Sequence, residues 1–145
     1  MTNIDAASSP TYPPLSAAAR EFLDAPHFAV MATLNPDGGP LQAVVWYLLD
    51  GDEIVFNSRV GRQWPLNIGR DKRVSITVAD GYNYVDMRGS VEVDDDAETG
   101  QAVIARLSRR YRRSEAAAAA EIEVFRKQAR VTFRLRPDRI FEHFR

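Results

Sequence analysis

The chain has 145 residues, 45% of them hydrophobic and 27% charged, with a formal net charge of −1 and no cysteine. That length suits one domain of about 150 residues, and the balance excludes both extended disorder and the broad positive field that attracts nucleic acid. The missing thiols also exclude disulfides, zinc–cysteine sites and iron–sulfur clusters, and with only His27 and His143 for imidazole no metal centre is expected.

The longest apolar run, Ala43 to Leu49, is far short of the roughly 20 residues of a spanning helix, and the N-terminus carries no signal pattern. A cytoplasmic protein without a membrane partner is expected. Residues 1–13, rich in Ser, Ala, Thr and Pro, show no apolar period and predict a mobile tail before a single domain at 14–145. Leu15, Ala18, Ala19, Phe22 and Leu23 then fall at helical spacing, predicting a short amphipathic helix over Ser16 to Asp24 that ends near Pro26.

From Phe28 the period becomes two, with Phe28, Val30, Ala32 and Leu34 on one face and a turn at Asn35-Pro36-Asp37-Gly38-Gly39. Leu41 to Leu49 reads as a second strand, Asp50-Gly51-Asp52 as a turn, and Glu53 to Ser58 as a third strand with Ile54 and Phe56 facing one way. These predict a three-stranded meander. Gly61 and Pro65 then break the ladder, giving a loop into a short helix with Pro65 in its first turn. Val74 to Val78 and Tyr84 to Val93 supply two more strands, the second with Gly89 as a candidate bulge.

Asp94-Asp95-Asp96 cap a helix through Val103, Ile104, Leu107 and Tyr111, and Ser114 opens another through Ile122 and Phe125. Val131, Phe133 and Leu135 alternate in a sixth strand, which Ile140 to Phe144 extends or adds to. Short strands with late helices predict a mainly β fold, an antiparallel barrel carrying peripheral helices.

The sequence contains no phosphate-binding loop ending in Gly-Lys, no Gly-x-Ser-x-Gly elbow, no His-Glu-x-x-His and no dinucleotide glycine fingerprint. No side chain is put forward as catalytic. His27 and His143 have no partner at ligand or triad spacing. The informative segment is Asn57-Ser58-Arg59-Val60-Gly61-Arg62-Gln63-Trp64-Pro65-Leu66-Asn67, which leaves a strand, turns at Gly61 and enters a helix. Trp64 is a poor cap there, so an anion held by the helix N–H groups and by Arg59 or Arg62 would complete the terminus. An arginine-rich surface loop meeting water or carboxylates fits the same spacing. Trp46, Tyr47, Trp64, Tyr82 and Tyr84 are able either to wall a flat ligand or to pack as core. The run Arg106, Arg109, Arg110, Arg112 and Arg113 reads as a solvated helix face or as a handhold for an acidic tail.

The strand Phe28-Ala29-Val30-Met31-Ala32-Thr33-Leu34 with Asp37-Gly38, the Asn57-Ser58 strand end, Gly61-Arg62-Gln63 through Asn67, Arg70-Asp71 before Val74, and Tyr84 through Gly89 together carry a resemblance. Over roughly residues 15 to 144 the chain resembles the pyridoxamine 5'-phosphate oxidase-like split-barrel superfamily, and within it the deazaflavin-dependent class B oxidoreductases that use coenzyme F420. The resemblance implies a homodimer of six-stranded antiparallel split barrels with the cofactor, F420 or alternatively FMN, between subunits. It implies Arg62 as a phosphate ligand, Trp64 in a position commonly held by lysine, Asn57, Ser58, Asn67 and Arg70 around the ring and phosphate, and Tyr82 or Tyr84 closing the groove from the second subunit. The activity implied is hydride transfer from reduced F420 to an unsaturated small molecule. An FMN-dependent oxidoreductase and a flavin- or haem-binding carrier are the alternatives on the same fold.

Overall fold

Residues 11–145 are described by a computed structural model of the chain, so most of the expected tail, residues 1–10, lies outside the described residues. Eight strands are formed among the described residues: β1 (Ala29–Leu34), β2 (Pro40–Val45), β3 (Leu48–Asp50), β4 (Glu53–Arg59), β5 (Arg73–Asp80), β6 (Asn83–Asp94), β7 (Arg130–Leu135) and β8 (Arg139–His143). Four helices accompany them among the described residues: α1 (Ala17–Asp24), α2 (Gln63–Arg70), α3 (Ala97–Tyr111) and α4 (Glu115–Phe125). None is long and apolar enough to cross a membrane.

All strand pairs are antiparallel, in the order β2-β1-β5-β6-β7-β4-β3, with β8 beside β6. The long β6 joins the two halves of this curled sheet. One edge pairs with β5 over Asn83–Ser90, while the other pairs with β8 over Tyr84–Arg88 and with β7 over Val91–Asp94. Gly89 sits at the changeover, where a Cβ would meet Leu135 Cδ1 at 3.1 Å and the Arg136 carbonyl oxygen at 3.2 Å. It is a close-approach glycine rather than the expected bulge, because the β5 register runs unbroken through Val74 and Gly89.

The fold class is as expected, but the strand count is eight rather than six. The stretch Leu41 to Leu49 breaks at Trp46–Tyr47, so β2 stays with β1 while β3 pairs with β4 at the opposite end of the sheet. The expected meander is therefore split. Tyr47 is wholly buried, and its hydroxyl donates to the Leu23 carbonyl at 2.8 Å. At the gap the Tyr111 hydroxyl accepts the Tyr47 N–H at 3.2 Å and donates to the His27 carbonyl at 2.6 Å. A side chain from α3 thus supplies bonds that a continuous strand would have made for itself.

Period-two alternation positions the core. Ala29 and Met31 of β1, Ile54 and Phe56 of β4, and Phe133 and Leu135 of β7 are buried, while Val30, Ala32 and Leu34 face outward. Three helices start on side-chain caps: Asp96 accepts from the Thr99 N–H and Ser114 from the Ala117 N–H at the expected starts of α3 and α4, while Ser16, expected as the first residue of α1, caps it by accepting from the Ala19 N–H.

Candidate functional site

β4 ends in Asn57-Ser58-Arg59, and alternation divides these three residues between two faces. Ser58 turns inward beside Phe56, and its hydroxyl donates to the Arg59 carbonyl at 3.1 Å. Asn57 and Arg59 take the other face, toward α3. Gly61 then reverses the chain at a φ of 102°, a conformation only glycine adopts at little cost. The reversal makes Arg62 the cap of α2, two residues earlier than the expected start at Trp64. Arg62 forms no side-chain cap bond, so no side chain among the described residues satisfies the first N–H groups of this helix. Trp64 is buried instead, tilted against Phe133 at 5.2 Å and Phe56 at 5.9 Å, where it roots α2 in the barrel.

A cavity of about 240 Å³ lies between the barrel and the α3–α4 pair. Trp46, Asn57, Arg62, Trp64 and Arg130 line it from the barrel side, with Arg112, Glu121 and Phe125 across from them. The Glu121 carboxylate is committed to Arg112, whose Nε donates to both of its oxygens at 3.0 Å, and to the Ser108 hydroxyl at 2.7 Å. Burial alone would raise the Glu121 carboxyl, but these hydrogen bonds and the Arg112 charge hold it below its ordinary value.

Arg130, at the start of β7, is directly opposite Arg59 in the ladder. Its guanidinium lies 4.3 Å from the Phe125 ring centre, its Nη1 reaches Asn57 Oδ1 only at 3.4 Å, and its Nε is buried with no partner among the described residues. Burial, followed by the like charges of Arg62 and Arg59, pushes this group down to about 10. None of Arg59, Arg62 and Arg130 has an ion-pair partner among the described residues. Three cations thus converge beside a helix start that lacks acceptors, which is the electrostatic form of an anion site.

Of the residues expected at the site, Trp46, Asn57, Arg62 and Trp64 line the cavity, Gly61 shapes its bend and Arg59 adds charge. Gln63, Asn67 and Arg70 serve the scaffold. Asn67 is wholly buried, donating to Thr33 Oγ1 at 3.1 Å and to Asn35 Oδ1 at 2.9 Å while accepting from Gln63 Nε2 at 2.9 Å. Arg70 donates to the Leu34 carbonyl, so these side chains tie α2 to the end of β1. Trp46 stacks on Tyr111 at 5.1 Å and has Arg112 over its ring at 4.8 Å.

Tyr82 and Tyr84 lie outside this cavity, at the β5–β6 turn. Tyr82 is 74% exposed and Tyr84 stacks on His143 at 5.7 Å, so their expected contribution would have to come from a second copy. The arginine run is largely spent on structure. Arg110 donates to the Leu23, Asp24 and Ala25 carbonyls at the end of α1, Arg109 pairs with Glu115 at 3.3 Å, and Arg112 pairs with Glu121. His27 stacks on Phe22 at 4.5 Å and His143 Nδ1 lies 2.8 Å from the Tyr82 carbonyl, both away from the cavity. Among the described residues no group of three His, Cys, Asp or Glu side chains could hold a metal. Sequence reasoning missed Arg130, which stands immediately before the residues that alternate in the last strands.

Residues 15–144 match the family described as pyridoxamine 5'-phosphate oxidase. Among solved structures, an F420 reductase is 29% identical with a TM-score of 0.70, the match covering 88% of this chain and 98% of that one. A conserved hypothetical protein from Mycobacterium tuberculosis is 22% identical with a TM-score of 0.73, covering 93% of this chain and 89% of that one. The haem storage protein HutZ from Vibrio cholerae shares the fold at 18% identity, with a TM-score of 0.68 and coverage of 91% and 97%. No curated protein matches the chain.

Proposed function

The chain belongs to the pyridoxamine 5'-phosphate oxidase family and has its split-barrel fold, and from that premise we propose that it is an F420-dependent reductase acting on an unsaturated small molecule. The observation that carries a phosphate-bearing coenzyme at this site is the convergence of Arg62, Arg130 and Arg59 on the capless start of α2, and the likeness to an F420 reductase is what favours the deazaflavin. The residues present fit a phosphorylated coenzyme, because the buried Arg130 Nε and the first N–H groups of α2 are donors in want of an acceptor. Trp64 contributes no charge where the resemblance implies lysine, and Arg130 supplies a cation in its place.

When bound, reduced F420 supplies the hydride from its own ring carbon, which removes the need for a catalytic dyad. The protein's task is then to bind, orient and shield. Arg62 and Arg130 hold the phosphate. Asn57 is itself fixed by donating to the Gly100 carbonyl at 3.0 Å, and the α3–α4 pair walls one side of the cavity. Val44, which is 68% exposed, lines both this cavity and the outer sheet face bearing Phe28 and Val30, so a second copy docked on that face would close the groove.

The identity to an F420 reductase along nearly its whole length supports the deazaflavin. FMN is the second reading, favoured by three unpaired guanidiniums suited to the nearly dianionic charge of a phosphate monoester. A haem carrier is disfavoured because neither histidine reaches the cavity. Titration of the purified protein with F420 and FMN, followed by fluorescence quenching, tests the choice, and stopped-flow oxidation of reduced coenzyme by a panel of acceptors tests turnover. Tighter binding of F420 is expected; tighter binding of FMN would transfer the reading to that coenzyme, and binding of neither would sink both.

A further inference from the structure

The anion cavity is too small for a whole coenzyme. At about 30 Å³ for a small molecular group, its volume of about 240 Å³ takes roughly eight such groups. A phosphate and its polyol stalk use that space, so a fused planar ring has to lie beyond the rim. The rim is apolar where Val44 and Trp46 line it. There β1 and β2 carry Val30 opposite Val44 on the outer face, and Phe28 and Trp46 stand just beyond the last pair, Ala29 and Val45. Phe28 is 60% and Val30 41% exposed, so with Val44 they form one apolar shelf leading from the cavity onto the sheet. Apolar surface of this kind gains free energy when a ligand covers it.

The shelf ends in aromatic rings set nearly parallel. Tyr111 of α3 stacks on Trp46 at 5.1 Å with 6° between the planes, and on Phe28 at 5.6 Å with 17°. Its hydroxyl is held by the Tyr47 N–H and the His27 carbonyl, so the stack is oriented before any ligand arrives. Offset parallel packing is an arrangement in which planar π-systems attract, and a further flat ring extends it over the exposed Phe28. The barrel mouth around Val60, Leu66 and Val93 shares Arg130 with the cavity but offers no such platform, since the aromatic ring in its lining, Phe133, is buried. The cations beside the stack, Arg110 and Arg112, lie over the Tyr111 and Trp46 rings and are committed to the α1 carbonyls and to Glu121. Asp86, in the same cross-strand row as Val30, is two strands away beyond Thr77. Nothing on the shelf therefore calls for a charged ring.

We infer that Phe28, Val30 and Val44 form a stacking subsite for a planar, uncharged, conjugated ring, which arrives either as the ring of the coenzyme or as that of the acceptor. The inference rests on the coenzyme reading for the role of the ring, but its test does not need the coenzyme. Lumichrome, a fused-ring flavin fragment with neither stalk nor phosphate, is the probe, titrated into the whole protein and followed by fluorescence anisotropy. It should bind, and Arg62→Ala, which reports on the phosphate site, should leave its affinity within about twofold. Phe28→Leu keeps an apolar surface but removes the ring, and should weaken lumichrome binding about tenfold, while Phe28→Tyr should retain the parent affinity. Val44→Glu, at an exposed position, should weaken it by about tenfold or more. In protein saturated with F420 or FMN, displacement of lumichrome assigns the shelf to the coenzyme ring, and binding beside the coenzyme assigns it to the acceptor. Lumichrome binding without affinity for F420 or FMN would keep the subsite and sink the phosphate reading instead. Absence of lumichrome binding would overturn the inference, as would binding unaltered by both Phe28→Leu and Val44→Glu. Binding lost in Leu66→Glu alone would overturn it too, by moving the ring to the barrel mouth. So would a change of oligomeric state in Val44→Glu without lumichrome binding by the parent protein, which would give the shelf to a second copy of the chain.

Discussion

A Cβ on Gly100 would lie 2.5 Å from the carbonyl oxygen of Arg130, so α3 rests directly on the first residue of β7 with no room for a side chain. This contact fixes the distance between the helical layer and the arginine cavity. Gly100→Ala should cost about 1–3 kcal/mol through overpacking, even though Ala normally gains about 1 kcal/mol over Gly in a helix. It should also weaken coenzyme binding by displacing Arg130. Gly69→Ala in α2 has open space around its Cβ and should instead stabilise by about 0.5–1 kcal/mol. Urea denaturation of the two variants reads the opposite signs directly.

On the proposed function, Arg130 sets binding and stability in opposition. Its guanidinium remains charged at neutral pH although burial, Arg62 and Arg59 lower it to about 10, so the ligand-free protein bears an unfavourable charge there. The sign follows from the lowered value: this destabilisation is present below about pH 10 and fades as the pH rises through that value. Arg130→Gln should therefore stabilise the free protein by about 1 kcal/mol at pH 7, while weakening coenzyme binding by about 1.5–3 kcal/mol through loss of a charge-assisted bond. Arg62→Ala, at an exposed position, should weaken binding by a similar amount with little change in stability. Melting temperatures with and without saturating coenzyme separate the two effects. Lower stability of the free Arg130→Gln protein would show that the charge is already compensated.

The elements that were legible in the sequence are those decided locally. Period-two alternation marked β1, β4, β5 and β6, helical spacing marked α1, and short polar residues marked the starts of α3 and α4. The break at Trp46–Tyr47 was hidden, because the sequence there is apolar without interruption and the hydroxyl that replaces the ladder arrives from Tyr111. Arg130 was hidden for the same reason: its meaning comes from lying opposite Arg59, a consequence of β4 pairing with β7. Alternation could have separated Ser58 from Asn57 and Arg59, since adjacent strand residues point to opposite faces. The polar run at the β4 end instead drew all three into one expected site.

Asn67 illustrates a ligand expectation that burial turns into an architectural role. Its carboxamide bonds to Thr33, Asn35 and Gln63, with no contact into the arginine cavity. Asn67→Ala would leave Thr33 and Asn35 without their buried donor, at a cost of about 1–3 kcal/mol in stability. Coenzyme affinity per folded molecule should stay within about twofold, measured by titration at a temperature where the variant is fully folded. A drop of tenfold or more would return Asn67 to the binding set.

The Arg112–Glu121 pair gives the cavity a dependence on pH opposite to that of Arg130. Burial opposes the ionised Glu121, yet the hydrogen bonds from Arg112 and Ser108 hold its carboxyl below its ordinary value of 4.5. A carboxyl lowered on folding contributes stability that is fully present above its unfolded value and lost as the pH falls through the folded one. Glu121→Gln should cost about 1–2 kcal/mol at pH 7, because it removes a charge-assisted bond from Arg112 while keeping a group of similar shape against Ser108. The deficit should shrink as the pH falls below the ordinary carboxyl value of 4.5 and the parent carboxyl itself takes up a proton. Denaturation midpoints for both proteins from pH 7 to about pH 3 give two curves that converge on the acid side. Curves that stay parallel would mean that the stabilising element is the shape of the side chain rather than its charge. Freed from Glu121, Arg112 would join Arg62 and Arg130 as a third uncompensated cation lining the cavity, so Glu121→Gln should also bind the coenzyme phosphate more tightly, by about 1 kcal/mol at low salt.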